Sequence, residues 1–376
     1  MEKYSEDLLR YLGINETERI NWYKARHYVQ KFLMPVYGTA ISPNSSERLH
    51  VVFEDVSPLM MAVVRQSCLI AHYPNFDEET GRNRTSITIC TKNPDTAYND
   101  IKSCDYLGNL LEYCKCTVNG KSVDNSNFIL PLDIEFEFVN NASYSTENTI
   151  VIKSEDVEKG IEGFEQKFDV TMGMLVNMVY NTGAEIDNLS ASDNDNIERY
   201  TIALNVFCYK LKQDLIMKKW DECAKRNKYG TYNETDIKNK LSSVFCADCF
   251  EPRIKGLFGT NKKPVAEYIL QDFNTVMKKI SNVNTITALA KCEHARWNVE
   301  KLIMGFKPLC MTDWYDLESC FGTERKNKIK TLKKQGRHID LCSYRNLQRI
   351  NPADMKYDYF LMLAMPQIMR SYLLAK

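Results

Sequence analysis

Apolar residues recur every three to four positions near the start of the chain, in "EDLLRYLG" and "INWYKARHYVQKFLMPVYG", which predicts helices up to about residue 42. Pro, Asn and Ser then cluster in "AISPNSSERL", which reads as a linker. The β-branched run "RLHVVF" predicts a strand. "EDVSPLMMAVVRQSCLIAHYPNF" predicts a helix capped by Ser57, with Pro58 at its first position. A second strand follows in "TSITIC", 85 to 90. Strand, turn, helix and strand in about forty residues open a βαβ unit, so an α/β fold with a partly parallel sheet is the expected architecture.

Further on, "NFILPL" and the alternating "DIEFEFVN" read as strands. After "NTIVIKS" the period turns helical. "EKGIEGFEQKFDVTMGMLVNMVYN" and "NIERYTIALNVFCYKLKQDLIMKKWDECAKR" flank the polar loop "GAEIDNLSASDNDN". "KLSSVFCADCF", 240 to 250, reads as a late strand, and "PVAEYILQDFNTVMKKI" as a helix leading into "LAKCEHARWNVEKLIMGF", 289 to 306. The expected division is a helical segment over 1–45, an α/β domain over 46–283 with a helical insert, and a mostly helical domain over 284–376.

Composition narrows the functional classes. With 376 residues, 44% apolar and 26% charged, the chain has the make-up of a folded protein of more than one domain. Lys plus Arg and Asp plus Glu balance at 49 each, so no global field draws the protein to nucleic acid or an anionic membrane, and a charged partner must be met locally. "MEKYSEDLLRYLG" lacks the continuous apolar core of a signal peptide, and no apolar run approaches the roughly 20 residues needed to span a bilayer. The expectation is a cytoplasmic protein with no membrane partner. The 13 cysteines have irregular spacing and apolar neighbours, which suits reduced, buried thiols. Cys114 with Cys116, and Cys246 with Cys249, each offer half of a zinc site with no second pair nearby, so no metal is expected.

At 100° per residue, 289 to 306 divides into two sides. Ala288, Cys292, Ala295, Val299, Leu302 and Ile303 form an apolar stripe, while Glu293, His294, Trp297, Glu300 and Lys301 share the other side with Leu289 and Met304. The mixed side is either half-buried core with solvated charges or the wall of a binding site. Gly-x-Ser-x-Gly, Walker, His-Glu-x-x-His and EF-hand signatures are missing. His27 and His72 lie in helix-like apolar contexts and read as packed rather than reactive.

The βαβ stretch "RLHVVFEDVSPLMMAVVRQSCLIAHYPNF" followed by "SITIC" resembles the NAD-binding Rossmann domain of Trk-type potassium-uptake regulators. That resemblance implies a glycine-rich turn after the first strand, where backbone amides approach a pyrophosphate. Asp55, Ser57 and Met60 stand in place of the glycines, Glu54 adds a second carboxylate, and Thr91 and Lys92 stand where the ribose-binding acid belongs. The expectation is a degenerate Rossmann-like scaffold with no NAD and no other cofactor.

"LAKCEHARWNVEKLIMGF" resembles the first helix of the ryanodine-receptor-type (RyR) domain, through Glu293, His294, Trp297, Lys301, Gly305 and Phe306. "RHIDLCSYRNLQRINPADMKYDYFLMLAMPQIM" resembles the end of the same domain, through His338, Asp340, Leu341, Tyr344, Lys356 and Asp358. Between them, Pro308 and Leu309 replace the family's aromatic-Gly pair. The resemblance implies a small helical domain that senses a nucleotide-derived ligand in bacterial antiviral defence signalling. Its implied ligand-binding residues are Glu293, His294, Trp297, Lys301, His338, Asp340 and Tyr344. Trp297 and Tyr344 would stack on a base, and Lys301 and His338 would meet phosphate or ribose oxygens.

"ERKNKIKTLKKQGRH" carries seven Lys or Arg in fifteen residues. It reads either as a solvated helix face or as a surface on which some of Arg325, Lys326, Lys330, Lys333, Lys334 and Arg337 meet an anionic ligand or a nucleic-acid backbone. The expected function is a non-catalytic ligand sensor that acts through a change of oligomeric state or through a defence-system partner protein. The alternatives are an enzyme acting on a nucleotide or NAD-derived substrate, with Glu293, His294 and His338 for acid–base work, and a protein–protein scaffold.

Overall fold

The computed structural model describes residues 14–33, 41–104, 106–123, 130–140, 149–164, 169, 171–184, 198–199, 234–258 and 263–374. The helix expected in "EDLLRYLG", the polar loop 183–196 from 185 onward, and the helix expected from Ile197, apart from 198–199, lie outside the described residues.

The fold is α/β. Helix α1, Glu16–Tyr28, starts where the Asn15 side chain accepts from the Glu18 amide at 3.0 Å, and it runs into a π-helical turn, Val29–Leu33. The sheet comprises β1 His50–Phe53, β2 Thr85–Cys90, β3 Lys115–Val118, β4 Lys121–Val123, β5 Ile134–Val139 and β6 Thr149–Ile152. Helix α2, Pro58–Ile70, joins β1 to β2, and α3, Pro94–Lys102, and α4, Leu107–Tyr113, join β2 to β3. Strand order is β4-β3-β5-β2-β1-β6, parallel throughout except for the β3–β4 hairpin. That hairpin turns on Asn119 and Gly120, both at positive φ, the pairing a two-residue turn needs to match strand twist. Val51, Val52 and Phe53 are all buried, as in a parallel strand covered on both faces.

The βαβ reading of 46 to 90 holds in detail. Ser57 Oγ accepts from the Met60 amide and caps α2, with Pro58 opening the helix. The Asp55 carboxylate accepts from Ser154 Oγ at 2.5 Å and from the Val56 amide at 2.7 Å. Burial alone would raise its pKa, but these bonds and those from Ser57 hold it below the usual range. In this chain the turn at the carboxyl end of β1 therefore already holds a hydrogen-bonded carboxylate, where a dinucleotide-binding sheet offers bare amides.

The remaining helices are α5 Ser154–Gly160, α6 Thr171–Ala184, α7 Glu234–Asp248, α8 Phe250–Phe258, α9 Val265–Gln271, α10 Phe273–Ile280, α11 Val283–Ile303, α12 Met311–Glu318, α13 Gly322–Lys334, α14 Tyr344–Ile350 and α15 Met355–Leu374. A two-stranded parallel sheet pairs β7, Lys307–Pro308, with β8, Arg337–His338. Three expectations are corrected. Residues 240 to 250 form the end of α7 and the start of α8 rather than a strand, because Leu241, Val244, Phe245 and Asp248 recur at helical spacing and are all buried. The described part of "NFILPL", 130–132, is not strand, and the helix expected over 264 to 280 breaks at Asp272 into α9 and α10.

Two large cores meet along α11. The first gathers Trp22 and Tyr23 of α1, the sheet, α2, part of α7, and Val299, Leu302 and Ile303 of α11. The second gathers α6 through α10, α15, and Ile286, Leu289 and Ala290 of the same helix. The N-terminal helix thus packs into the core of the sheet, and the helix that opens the C-terminal segment belongs to both cores.

A buried ion pair ties α1 to α7. The Arg26 guanidinium grips the Asp248 carboxylate with Nε–Oδ2 at 2.8 Å and Nη2–Oδ1 at 2.6 Å, and Gln30 donates to the same Oδ1. Asp248→Ala would remove this carboxylate from a buried guanidinium, and is expected to lower unfolding free energy by about 3–5 kcal/mol. Urea titration checks it, and a loss below about 1 kcal/mol would refute the argument.

Candidate ligand-binding site

The site is organised by α11. Asn282 opens the helix by accepting from the Thr285 amide at 3.2 Å. Gly305 closes it at φ +84°: the Phe306 amide donates to the Lys301 carbonyl and the Gly305 amide to that of Leu302, a pairing that a left-handed residue makes possible. The chain turns there into β7, whose pairing with β8 sets His338 beside the carboxyl half of α11.

Along α11 runs a chain of buried charges. Glu293 lies between Arg253 of α8, with Nη1–Oε2 at 2.7 Å, and Arg296, whose Nε and Nη2 donate to its carboxylate at 2.8 to 3.1 Å. Arg296 reaches on to Glu300. Glu300 accepts from Lys301 Nζ at 2.8 Å and from Ser242 Oγ at 2.9 Å. All five ionic side chains are at most 5% exposed. Burial pushes the Glu293 pKa up, but the two guanidinium groups outweigh it and hold the carboxyl at about 2. Burial lowers the pKa of Lys301; Glu300 opposes this, while Arg296 and Lys238 add to it. Three cations and two anions make up this chain, the Asp358 carboxylate acts on Arg296 from the cavity side, and Lys301, paired with Glu300, ends the chain at a cavity wall.

The cavity measures about 400 Å³ and lies between α6, α7, α11, α13 and α15. It falls within the range of about 300–1,000 Å³ typical of small-molecule sites. Lys238, Lys301, Lys330, Lys333 and Lys334 line it, and so do Asp340, Asp354 and Asp358. Lys301 and His294, which pairs with Asp358, sit seven residues apart on α11, about 10 Å along the axis at 1.5 Å per residue. Trp297 stands between them, half-buried, with the Lys301 ammonium 5.5 Å from its ring centroid. On the opposite wall Tyr180 and Tyr357 stack at 4.4 Å.

The two histidines differ in character. His294 Nε2 donates to the Cys342 carbonyl at 2.9 Å, and its Nδ1 lies 3.5 Å from the Asp358 carboxylate. Burial disfavours its charged form, but these two partners outweigh burial and raise its pKa well above the ordinary value. His338 is pushed the other way, by burial first and then by Lys333, Lys301 and His294, so its pKa lies well below the ordinary value. Its Nδ1 accepts the Asp340 amide at 3.2 Å, so the neutral ring carries its hydrogen on Nε2. The edges of Trp297 and Phe306 enclose it, with ring centroids 4.9 and 5.9 Å away. Asp340 and Asp354 both accept from the Asn351 amide, at 2.8 and 2.7 Å. Burial, then the neighbouring Asp354 charge, push the Asp340 carboxyl up to about 6.

Of the seven residues singled out in the sequence, Glu293, His294, Trp297, Lys301, His338 and Asp340 line this cavity. Tyr344 does not. It stands behind His294, edge-on at 5.6 Å, and lines a separate groove with Tyr73, Phe76 and Lys291. The Tyr344 amide donates to the Glu78 carboxylate at 2.6 Å, so a loop before β2 holds the first turn of α14. Asn298 donates to the same Cys342 carbonyl as His294.

The basic run also divides. Lys330, Lys333 and Lys334 reach the cavity, Lys326 is exposed, Arg325 donates to the Leu317 carbonyl, and Arg337 pairs with Asp313 at 2.6 Å. Pro308 lies in β7 and Leu309 in a third small core with Leu317, Leu332 and Ile339. Sequence reasoning passed over Lys238, Asn177, Tyr180, Asp354 and Tyr357; Asp354 and Tyr357 lie inside the quoted C-terminal stretch and showed there only as a local concentration of acids and tyrosines.

His27 rests on Phe164 at 5.1 Å, and His72 pairs with Asp133 at 2.8 Å in the sheet's core. Among the described residues, no group of three or more His, Cys, Asp or Glu has the arrangement to hold a metal ion, and no helix is long and apolar enough to cross a membrane. Cys114, Cys116, Cys246 and Cys249 are buried free thiols. No protein-family model, curated protein or solved structure matches the chain.

Glu293→Gln removes the charge between two guanidinium groups and is expected to cost about 3–5 kcal/mol in urea unfolding. Its folded pKa of about 2 lies below the ordinary 4.5, so the wild-type stabilisation is complete above pH 4.5 and is lost as the pH falls through about 2. Stability measured across that window should decline more steeply in the wild type than in Glu293→Gln; parallel profiles would contradict the assignment.

Proposed function

We propose that the chain is a ligand sensor that binds a nucleotide-derived anion in the cavity beside α11. The observation that carries this reading is the excess of ammonium groups on the cavity: Lys238, Lys301, Lys330, Lys333 and Lys334 line it against Asp340, Asp354 and Asp358. An anion seated there is met by several of them, and charge-assisted bonds to phosphate oxygens are the strong kind. Trp297, midway along the wall between the His294 ring and the Lys301 ammonium, is a half-buried aromatic on the lining that a base would contact. Asp358, paired with His294 two helical turns from Lys301 along α11, and Asp354 on the same lining are acceptors for the amino groups of a base. The resemblance to RyR-type domains supports placing such a sensor in bacterial antiviral signalling, with output through a partner protein or self-association.

An enzyme acting on a nucleotide or NAD-derived substrate is the second reading. Glu293 is unsuited to acid–base work, since two guanidinium groups keep it ionised, and both ring nitrogens of His294 are engaged. The pair that favours this reading is His338 and Asp340, 3.6 Å apart on the cavity wall. Chromatography of nucleotides after incubation separates the two readings: a sensor returns its ligand unchanged.

Thermal shift against linear, cyclic and dinucleotide ligands tests the proposal, because a ligand at 100 times its Kd adds about 2.7 kcal/mol. Trp297→Ala is expected to weaken binding about 5- to 150-fold, the equivalent of the roughly 1–3 kcal/mol of one base–aromatic stack. Lys333→Ala, at an exposed position, should weaken binding in a salt-dependent way without altering the melting temperature of the free protein. Stabilisation by no nucleotide of any class would refute the reading.

A further inference from the structure

The cavity brings together titratable groups of opposite sense at one point. His338 is met by Lys301 and Trp297 from α11, by Lys333 from α13, and by Phe306 from the turn before β7. Its own turn supplies Asp340, with His338 Nδ1 and Asp340 Oδ2 3.6 Å apart. Asp340 in turn faces Asp354 across the shared Asn351 amide, with Lys333 as its nearby cation. His294 and Asp358 form a separate pair on the same wall. Burial first, then Lys333, Lys301 and His294, oppose a proton on His338, while burial first, then Asp354, favours one on Asp340.

We propose that anion binding in this cavity is coupled to uptake of a proton by the His338–Asp340 pair, so that the site takes its ligand more tightly as the medium acidifies. This rests on the anion-binding reading above. An anion among Lys301 and Lys333 offsets the electrostatic share of that opposition at His338, while the share due to burial stays. The same anion adds to the repulsion on the Asp340 carboxylate. Both changes raise affinity for a proton, so the two groups act in one direction.

The Asp340 carboxyl stands at about 6 in the free protein, and the bound anion carries it higher. Between those two values the complex holds a proton that the free protein lacks, so affinity rises as pH falls through that window and the Asp340 share levels off below about 6. His338 starts lower and adds its share as the anion lifts it toward neutrality. The coupling also selects for ligands: an anion that keeps its charge in mild acid, such as a phosphodiester or a cyclic mononucleotide, gains the whole effect. A phosphate monoester, whose second pKa is about 6, gives part of it back by taking up the proton itself.

Calorimetry of the full chain at pH 7, in two buffers of different ionisation enthalpy, counts protons taken up per ligand. The probes are sulfate and a 3′,5′-cyclic mononucleotide, neither of which titrates near neutrality. Uptake of a substantial fraction of one proton is expected, with affinity rising by up to about tenfold per pH unit between pH 8 and 6. Asp340→Asn keeps the Asn351 contact and should remove the carboxylate share, and His338→Gln the imidazole share. Asp340→Asn alone reads the effect if His338→Gln does not fold. Binding without proton uptake overturns the proposal and leaves the anion-binding reading standing. Undiminished uptake in Asp340→Asn overturns the assignment to this pair. No binding of either probe overturns the proposal, while the anion-binding reading falls only if no nucleotide of any class stabilises the protein.

Discussion

The charge chain from Arg253 through Glu293, Arg296 and Glu300 to Lys301 is the constraint on which the rest of this structure depends. Five ionised side chains held out of water are tolerable only while each finds its partners at hydrogen-bonding distance. That requirement fixes the rotation of α11 about its axis, the position of α8, which supplies Arg253, and the approach of α7, which supplies Ser242. Once the helix is so rotated, His294 and Trp297 face the cavity, and Val299, Leu302 and Ile303 face the sheet's core. The cavity wall and the packing between the two halves are thus settled by the same contacts.

The location of α11 between two cores explains its odd composition. A helix with one buried side carries its charges on the other, in water; this one has apolar neighbours at both ends and on more than one side. Its charges therefore had to be neutralised internally, by guanidinium–carboxylate pairs at i, i+3 and i, i+4. The chain of pairs ends at Lys301, and there the helix borders a cavity instead of a core.

Local signals carried much of the fold. Ser57 and Pro58 announced α2, β-branched runs announced β1 and β2, and alternation announced β5. Asn119 and Gly120 between two alternating runs also marked a hairpin that the sequence reading passed over. The strand expected at 240 to 250 failed because a short apolar run does not declare its period until the residues before it are read with it. For the site, the residue types of 289 to 306 pointed to the right helix, yet a helical wheel treats Glu293 and Lys301 as members of one polar face. It cannot show that Arg253, forty positions upstream, claims Glu293, or that Glu300 claims Lys301. Tyr344 was drawn in by pattern and stands one layer behind the wall. Lys238, Tyr180 and Asp354 come from elements whose nearness to α11 is a tertiary fact with no local signature.

One contact gives the cavity a mechanical outlet. The segment from His338 to Tyr344 is clamped at the Cys342 carbonyl by His294 and Asn298, and at its far end Glu78 completes the first turn of α14. The carboxylate sits at the positive pole of that short helix, where charge and hydrogen bond reinforce each other. The segment therefore spans two anchors: one end is held at the cavity wall, the other at a loop that leads into β2 of the parallel sheet. It is a hydrogen-bonded tie between the sheet and a cavity that none of the sheet's six strands lines.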